Sequence, residues 1–128
     1  MFNQSQDQIL ELNNLFLKYF YEDNSFLKRI EAKSKSYYDV NNFGICAFAT
    51  KGNVDIEIHS MSNECPGIII NCFEVSNIFL HFTLEFNPYV EQDSFSIRLY
   101  LHGKDFGAIE CESLSYKILD ESCWNNFQ

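Results

Sequence analysis

The sequence predicts an α+β domain: two N-terminal helices packed on a curved, mostly antiparallel sheet of about six strands. Three observations carry that expectation. Up to about residue 42 apolar residues recur at helical spacing; beyond it they alternate with polar ones; and short polar or glycine-containing runs separate the alternating stretches.

The first helix opens at Ser5, an N-cap with Gln8 three residues on. Ile9, Leu12, Phe16, Tyr19 and Phe20 then form one apolar stripe. Leu10, Leu15, Leu17 and Tyr21 widen it, so the helix is expected to be well buried. Glu22-Asp23-Asn24 breaks it. Asn24 or Ser25 can cap a second, more polar helix reaching about Tyr38, with Glu31 and Lys35 as an i,i+4 pair. Strands follow. Val54, Ile56 and Ile58 alternate with Asp55, Glu57 and His59. Ile78 to Phe86 and Phe95 to His102 alternate in the same way. Ile68 to Val75 is apolar on both faces and reads as a central strand. Further strands are expected at 43–50 and, in one or two pieces, at 106–119. Lys51-Gly52-Asn53 and Gly103-Lys104-Asp105 read as hairpin turns.

The 128 residues form one domain, 1–128, long enough for a single hydrophobic core. An apolar fraction of 46% with 13 Phe argues against disorder. No stretch approaches the roughly 20 apolar residues that span a bilayer, and the first residues do not read as a secretory signal, so a cytoplasmic location is expected. Five cysteines (Cys46, Cys65, Cys72, Cys111, Cys123) cannot all pair within the chain and form no Cys-x-x-Cys. They read as structural thiols.

Charge is unevenly placed. Through Asn42 there are five bases and six acids. From Phe43 onward there are four bases and twelve acids, a net of −8 out of −9. Such a field repels nucleic acid and anionic membrane and attracts cationic partners.

Catalytic signals are weak. The sequence carries no nucleophile elbow, P-loop, dinucleotide fingerprint or His-Glu-x-x-His, and no catalytic residue, metal site or cofactor is expected. His59, His81 and His102 fall on polar strand phases and could converge only if their strands adjoin. The acidic residues are more coherent. Asp55, Glu57, Glu85, Glu110 and Glu112 occupy outward strand phases, and Phe79 and Tyr100 share that phase. Carboxylates fixed on a sheet with aromatics among them are expected to form the contact surface for a basic protein.

Small size, strong acidity, abundant Phe, Asn and Ile and a helix-then-sheet order resemble the immunity proteins of bacterial polymorphic-toxin and contact-dependent-inhibition systems. The resemblance implies a non-catalytic protein that neutralises a cognate basic, nuclease-like toxin domain by direct binding. The acidic profile also resembles type III secretion chaperones. Helices leading into a curved sheet resemble the NTF2-like fold, which would place an acid or His in an apolar cavity.

Overall fold

The computed structural model describes residues 6–21, 24–32, 37–41, 44–48, 52–81, 86–103 and 107–119. One N-terminal helix and two antiparallel sheets make an α+β fold. Helix α1 is Gln6–Tyr19. The strands are β1 (Ser25–Ala32), β2 (Tyr37–Asn41), β3 (Gly44–Phe48), β4 (Gly52–Ser60), β5 (Gly67–Val75), β6 (Asn77–His81), β7 (Tyr89–Gln92), β8 (Ile97–Tyr100), β9 (Gly107–Cys111) and β10 (Ser113–Leu119). The first sheet has the order β1-β4-β5-β10, the second β2-β3-β6-β9-β8-β7.

The two sheets share one bent ribbon. β5 runs into β6 and β9 into β10, so β5 pairs with β10 in one sheet and β6 with β9 in the other. The bend is a bulge at Glu74. Between the Cys72–Val54 and Val75–Gly52 pairs, β5 advances three residues while β4 advances two. Between Phe73–Ser113 and Asn77–Glu110 it advances four against three. Glu74 is the extra residue against both neighbours. It has φ of 52°, the left-handed region in which a bulge can turn a strand. Backbone bonds from Ser76 N to Glu110 O (2.9 Å) and from Glu112 N to Phe73 O (3.1 Å) hold the ribbon through the bend.

The inner faces bury Val54, Ile56 and Ile58 of β4, Ile68, Ile70 and Cys72 of β5, Ile78, Ile97, Leu99 and Ile109. α1 adds Ile9, Leu12 and Phe16, with Phe20 just beyond it set edge-on to Phe16 at 6.2 Å between ring centres. The helix bridges the outer strands of the two sheets. Asn13 Nδ2 donates to Val90 O and Asn13 Oδ1 accepts from Val90 N–H, both at 2.8 Å. That clasp occupies the outer edge of β7 much as a further strand would, and so protects it. On the other side Glu11 accepts a hydrogen bond from Tyr116 of β10. Burial first, and then this carboxylate, push the Tyr116 pKa up to about 12.

Four expectations are corrected. The segment read as a second helix begins as strand β1. Leu27 and Ile30 are three apart, as on a helix, because Lys28 is a bulge: Leu27 pairs with Ile58 and Arg29 with Glu57, two steps against one. The single curved sheet of about six strands is two sheets of four and six. Gly52 and Asn53 belong to β4 rather than to a turn. Leu10, Leu17 and Tyr21 are exposed, so α1 is buried on one side only. Ser5, Lys35 and Cys123 lie outside the described residues. Among the described residues no helix is long and apolar enough to cross a membrane.

Candidate functional site

Polar residues collect in two places, the outer face of the four-stranded sheet and the bend with the adjoining outer face of the six-stranded one.

On the first face, β4 sits between β1 and β5, and each of its polar side chains is flanked on both sides. Glu57 faces Arg29, Asp55 faces Glu31 and Asn71, and His59 faces Phe26 and Gly67. Glu57 Oε2 and His59 Nε2 lie 2.6 Å apart, with side-chain exposures of 7% and 3%. A carboxylate is an acceptor only, which assigns the imidazole proton to Nε2. Arg29 Nη2 lies 3.4 Å from Glu57 Oε1, and its Nη1 also pairs with Glu31. Asn71 Nδ2 donates to Asp55 Oδ1 at 2.6 Å. The Phe26 ring tilts against His59, 5.7 Å between centres. A Cβ on Gly67 would come within 3.0 Å of Leu119 Cδ1 and 3.3 Å of His59 Cδ2, so the missing side chain is what admits the ring. Glycine also suits this close approach because it adds nothing for the ring to displace.

The expectation that Asp55 and Glu57 stand exposed for a partner is therefore corrected. Alternation reports which face a residue takes, not how deep it lies. Both are buried, at 5% exposure, by the side chains of the neighbouring strands.

The second place begins on the β7–β8 hairpin. Asp93 closes its turn: Oδ1 accepts the backbone N–H groups of Phe95 (2.7 Å) and Ser96 (2.9 Å). Those two bonds, and then the charge of Arg98, hold the Asp93 carboxyl below its ordinary pKa. Arg98 Nη2 lies 2.7 Å from Asp93 Oδ2 and Arg98 Nε 3.4 Å from Glu110 Oε1. The neighbouring charges, Asp93 foremost, raise the guanidinium's pKa. Tyr100 stacks on Tyr89, 6.2 Å between centres, and its hydroxyl donates to Glu91 Oε2 at 3.2 Å. Ile97 pairs with Cys111, which brings Ser96 and the turn level with Glu112 at the bend. Glu112 is exposed, as are Phe73 and Glu74 on the neighbouring strand. Glu74, Glu91, Asp93, Glu110 and Glu112 thus lie along the bend and the adjoining outer face, where Arg98 is the one base among the described residues. Phe95, at the tip of the turn, is 93% exposed.

Of the residues singled out from sequence, Tyr100, Glu110 and Glu112 come together here. Tyr100 is a correction: it is only 8% exposed, because Tyr89 and Glu91 cover its ring and hydroxyl. Phe79 lies on β6 opposite Ala108, on the same sheet, where only its backbone is described. Glu85 lies outside the described residues. His59 is on the four-stranded sheet, whereas buried His102 follows β8 and packs edge-on to Phe86 at 5.7 Å, so these two do not converge. The side chain of His81 is not among those described. Cys65, Cys72 and Cys111 are buried free thiols. A hydrogen bond with Cys111, together with burial, raises the Cys72 pKa well above the ordinary value, which keeps it from acting as a thiolate. The sequence reading did not single out Arg98, Asp93 or Phe95 as a unit. The Asp93-Ser94-Phe95-Ser96 run carries the usual sign of an Asx turn, an Asp two residues ahead of the N–H it accepts.

No family model matches the sequence, and no curated protein or solved structure matches it.

Proposed function

We propose that this chain is a non-catalytic, cytoplasmic binding protein of the immunity type, which neutralises a basic, nuclease-like toxin domain by binding it directly. One observation carries the reading. At the bend and on the adjoining hairpin, Arg98 is engaged by Asp93 and Glu110, Glu74 and Glu112 stand exposed, and exposed Phe73 and Phe95 lie on the same segments. A surface that is both acidic and studded with aromatic rings offers charge for steering and apolar area for holding a cationic protein. The Glu57–His59–Arg29 cluster supports the non-catalytic side of the reading. Glu57 and His59 are buried against one another beside a partly exposed Arg29 on the face away from the core, rather than lining an apolar cavity as an NTF2-like enzyme would need.

The test is capture of the partner from lysate of the source cells with the tagged full chain, followed by binding kinetics and growth rescue. The captured protein should be basic and toxic when expressed alone, and co-expression of this chain should restore growth. Raising salt from about 0.05 to 0.5 M should slow association about tenfold. Glu74→Lys with Glu112→Lys should slow it further while leaving the melting temperature within about 2 °C, because exposed charges contribute little to stability. An acidic partner, or association indifferent to salt, defeats the reading.

A further inference from the structure

Phe95 is 93% exposed, the most exposed of the large apolar side chains described, and Phe73 is 36% exposed at the adjoining bend, so two rings share one acidic region. The Phe95 ring adds nothing to the core. Its backbone, by contrast, is fixed. Asp93 N donates to Ser96 O at 3.0 Å, and Asp93 in turn accepts from Phe95 and Ser96 and pairs with Arg98. A ring presented on an ordered turn loses little further freedom when it docks.

We propose that Phe95 is the apolar anchor of the partner interface, with Phe73 as a secondary contact. The occupant is a protein surface that offers an apolar pocket rimmed by Lys or Arg. This rests on the binding reading above and names the chemistry of its partner. Charge complementarity selects the occupant. Asp93 shares the turn with Phe95, Glu112 lies level with that turn by register, and Glu110 follows on the same strand, so a pocket rimmed with carboxylates, an anionic membrane or a second copy of this −9 chain would meet like charge there. A cationic rim satisfies the carboxylates, and the pocket takes the ring.

The probe is a random twelve-residue peptide library displayed on phage and panned against the immobilised full chain. Enriched peptides should combine Lys or Arg with aliphatic or aromatic residues. Phe95→Ala should weaken each by about tenfold or more, as expected of an anchor. Glu112→Lys should weaken them in a salt-dependent way. Because Phe95 touches no core, its variant should melt with the wild type, and circular dichroism checks this. Peptides that bind Phe95→Ala as tightly as wild type overturn the anchor, and if they still lose affinity with Glu112→Lys the basic-partner reading survives without it. Peptides that depend on Phe95 but ignore Glu112 and salt overturn the cationic rim and the basic-partner reading with it. Failure to enrich any peptide counts against the anchor. Dimerisation at micromolar concentration that Phe95→Ala abolishes assigns the ring to a second copy, and binding to anionic vesicles assigns it to a membrane; either overturns the proposal.

Discussion

Asn13 is the most informative single residue for the way the helix is attached. Its amide meets both backbone groups of Val90 at 2.8 Å, replacing a missing strand along the outer edge of β7. Asn13→Ala removes both bonds. A typical hydrogen bond contributes about 1 kcal/mol net, so the loss is about 2 kcal/mol; water reaching this part-buried edge sets the lower side of the range. At about 2.1 cal/mol/K per residue, a chain of 128 residues has an unfolding entropy near 0.27 kcal/mol/K, which converts 2 kcal/mol into a fall of about 7 °C in Tm. Calorimetry reads the Tm, and amide exchange reads the site: the Val90 N–H should lose protection selectively. Asn13→Asp separates the two bonds. It keeps the acceptor for Val90 N–H but sets a carboxylate against Val90 O, so Val90 should stay protected while Tm still falls. A Tm within 1 °C of wild type for Asn13→Ala, with Val90 protection unchanged, would refute the edge-clasp account.

Three further outcomes follow from the same packing. Phe16→Ala should cost about 3–5 kcal/mol in urea unfolding, since the ring is fully buried between Phe20 and the sheets; a cost below 1 kcal/mol contradicts the core assignment. Tyr116 should titrate near 12 in an absorbance titration of tyrosinate, and the sign for stability is fixed. The unfolded tyrosine loses its proton near 10 and the folded one near 12, so stability falls as pH rises between them, and Tyr116→Phe should flatten that alkaline loss. At the bulge, Glu74→Gly should leave stability within about 1 kcal/mol or raise it, whereas Glu74→Val should lower it by about 1–2 kcal/mol, because a β-branched residue resists positive φ; equal effects of the two would remove the left-handed bend as the cause.

What the sequence reveals follows from how local each signal is. The stripe Ile9, Leu12, Phe16 and Phe20 is a local pattern, and all four residues are in the core. The alternation of β4 and β8 is local too: Val54, Ile56, Ile58, Ile97 and Leu99 are buried as their phase implies, whereas Phe95, expected on the same inward phase, is 93% exposed because Asp93 draws it into a turn. Bulges break the pattern. Lys28 shifts the phase of β1 and gives Leu27 and Ile30 a helical spacing, while Glu74 bends the ribbon so that two expected strands, 68–75 and the one beginning near Ile78, belong to different sheets rather than to one. β7 is four residues long with Val90 alone deeply buried, too short to carry a period. For the candidate site, the outward phases of Tyr100 and Glu110 are legible, but their depth and partners are not, because Arg98, Asp93 and Tyr89 reach them through pairing with neighbouring strands and a turn.

The polar face of β4 shows why a buried charge cluster here need not mean chemistry. Arg29 opposite Glu57 and Asn71 opposite Asp55 fix β4 against both of its neighbours. If β1 slipped by one residue, Arg29 would face the core side of β4 and Glu57 would lose its guanidinium inside the fold. Glu57 would keep His59 on its own strand but lose the second partner, and Arg29 would be carried toward apolar side chains, so the cluster reinforces the register that hydrophobic alternation sets. Leu27 and Ile30, separated by the Lys28 bulge, would otherwise fit the core in more than one register. On this account the buried polar residues specify pairing, and their truncation should unfold the chain rather than abolish binding selectively. The bend has the opposite character. Glu74, Glu112 and Phe95 are exposed, and Glu112, Phe95 and the charge of Glu74 can be changed at little cost to folding, the left-handed backbone of Glu74 being the one constraint. Residues that a fold leaves in water while it buries other carboxylates beside an arginine are the ones free to answer to a partner, and this contrast directs the search for function to the bend rather than to the histidine.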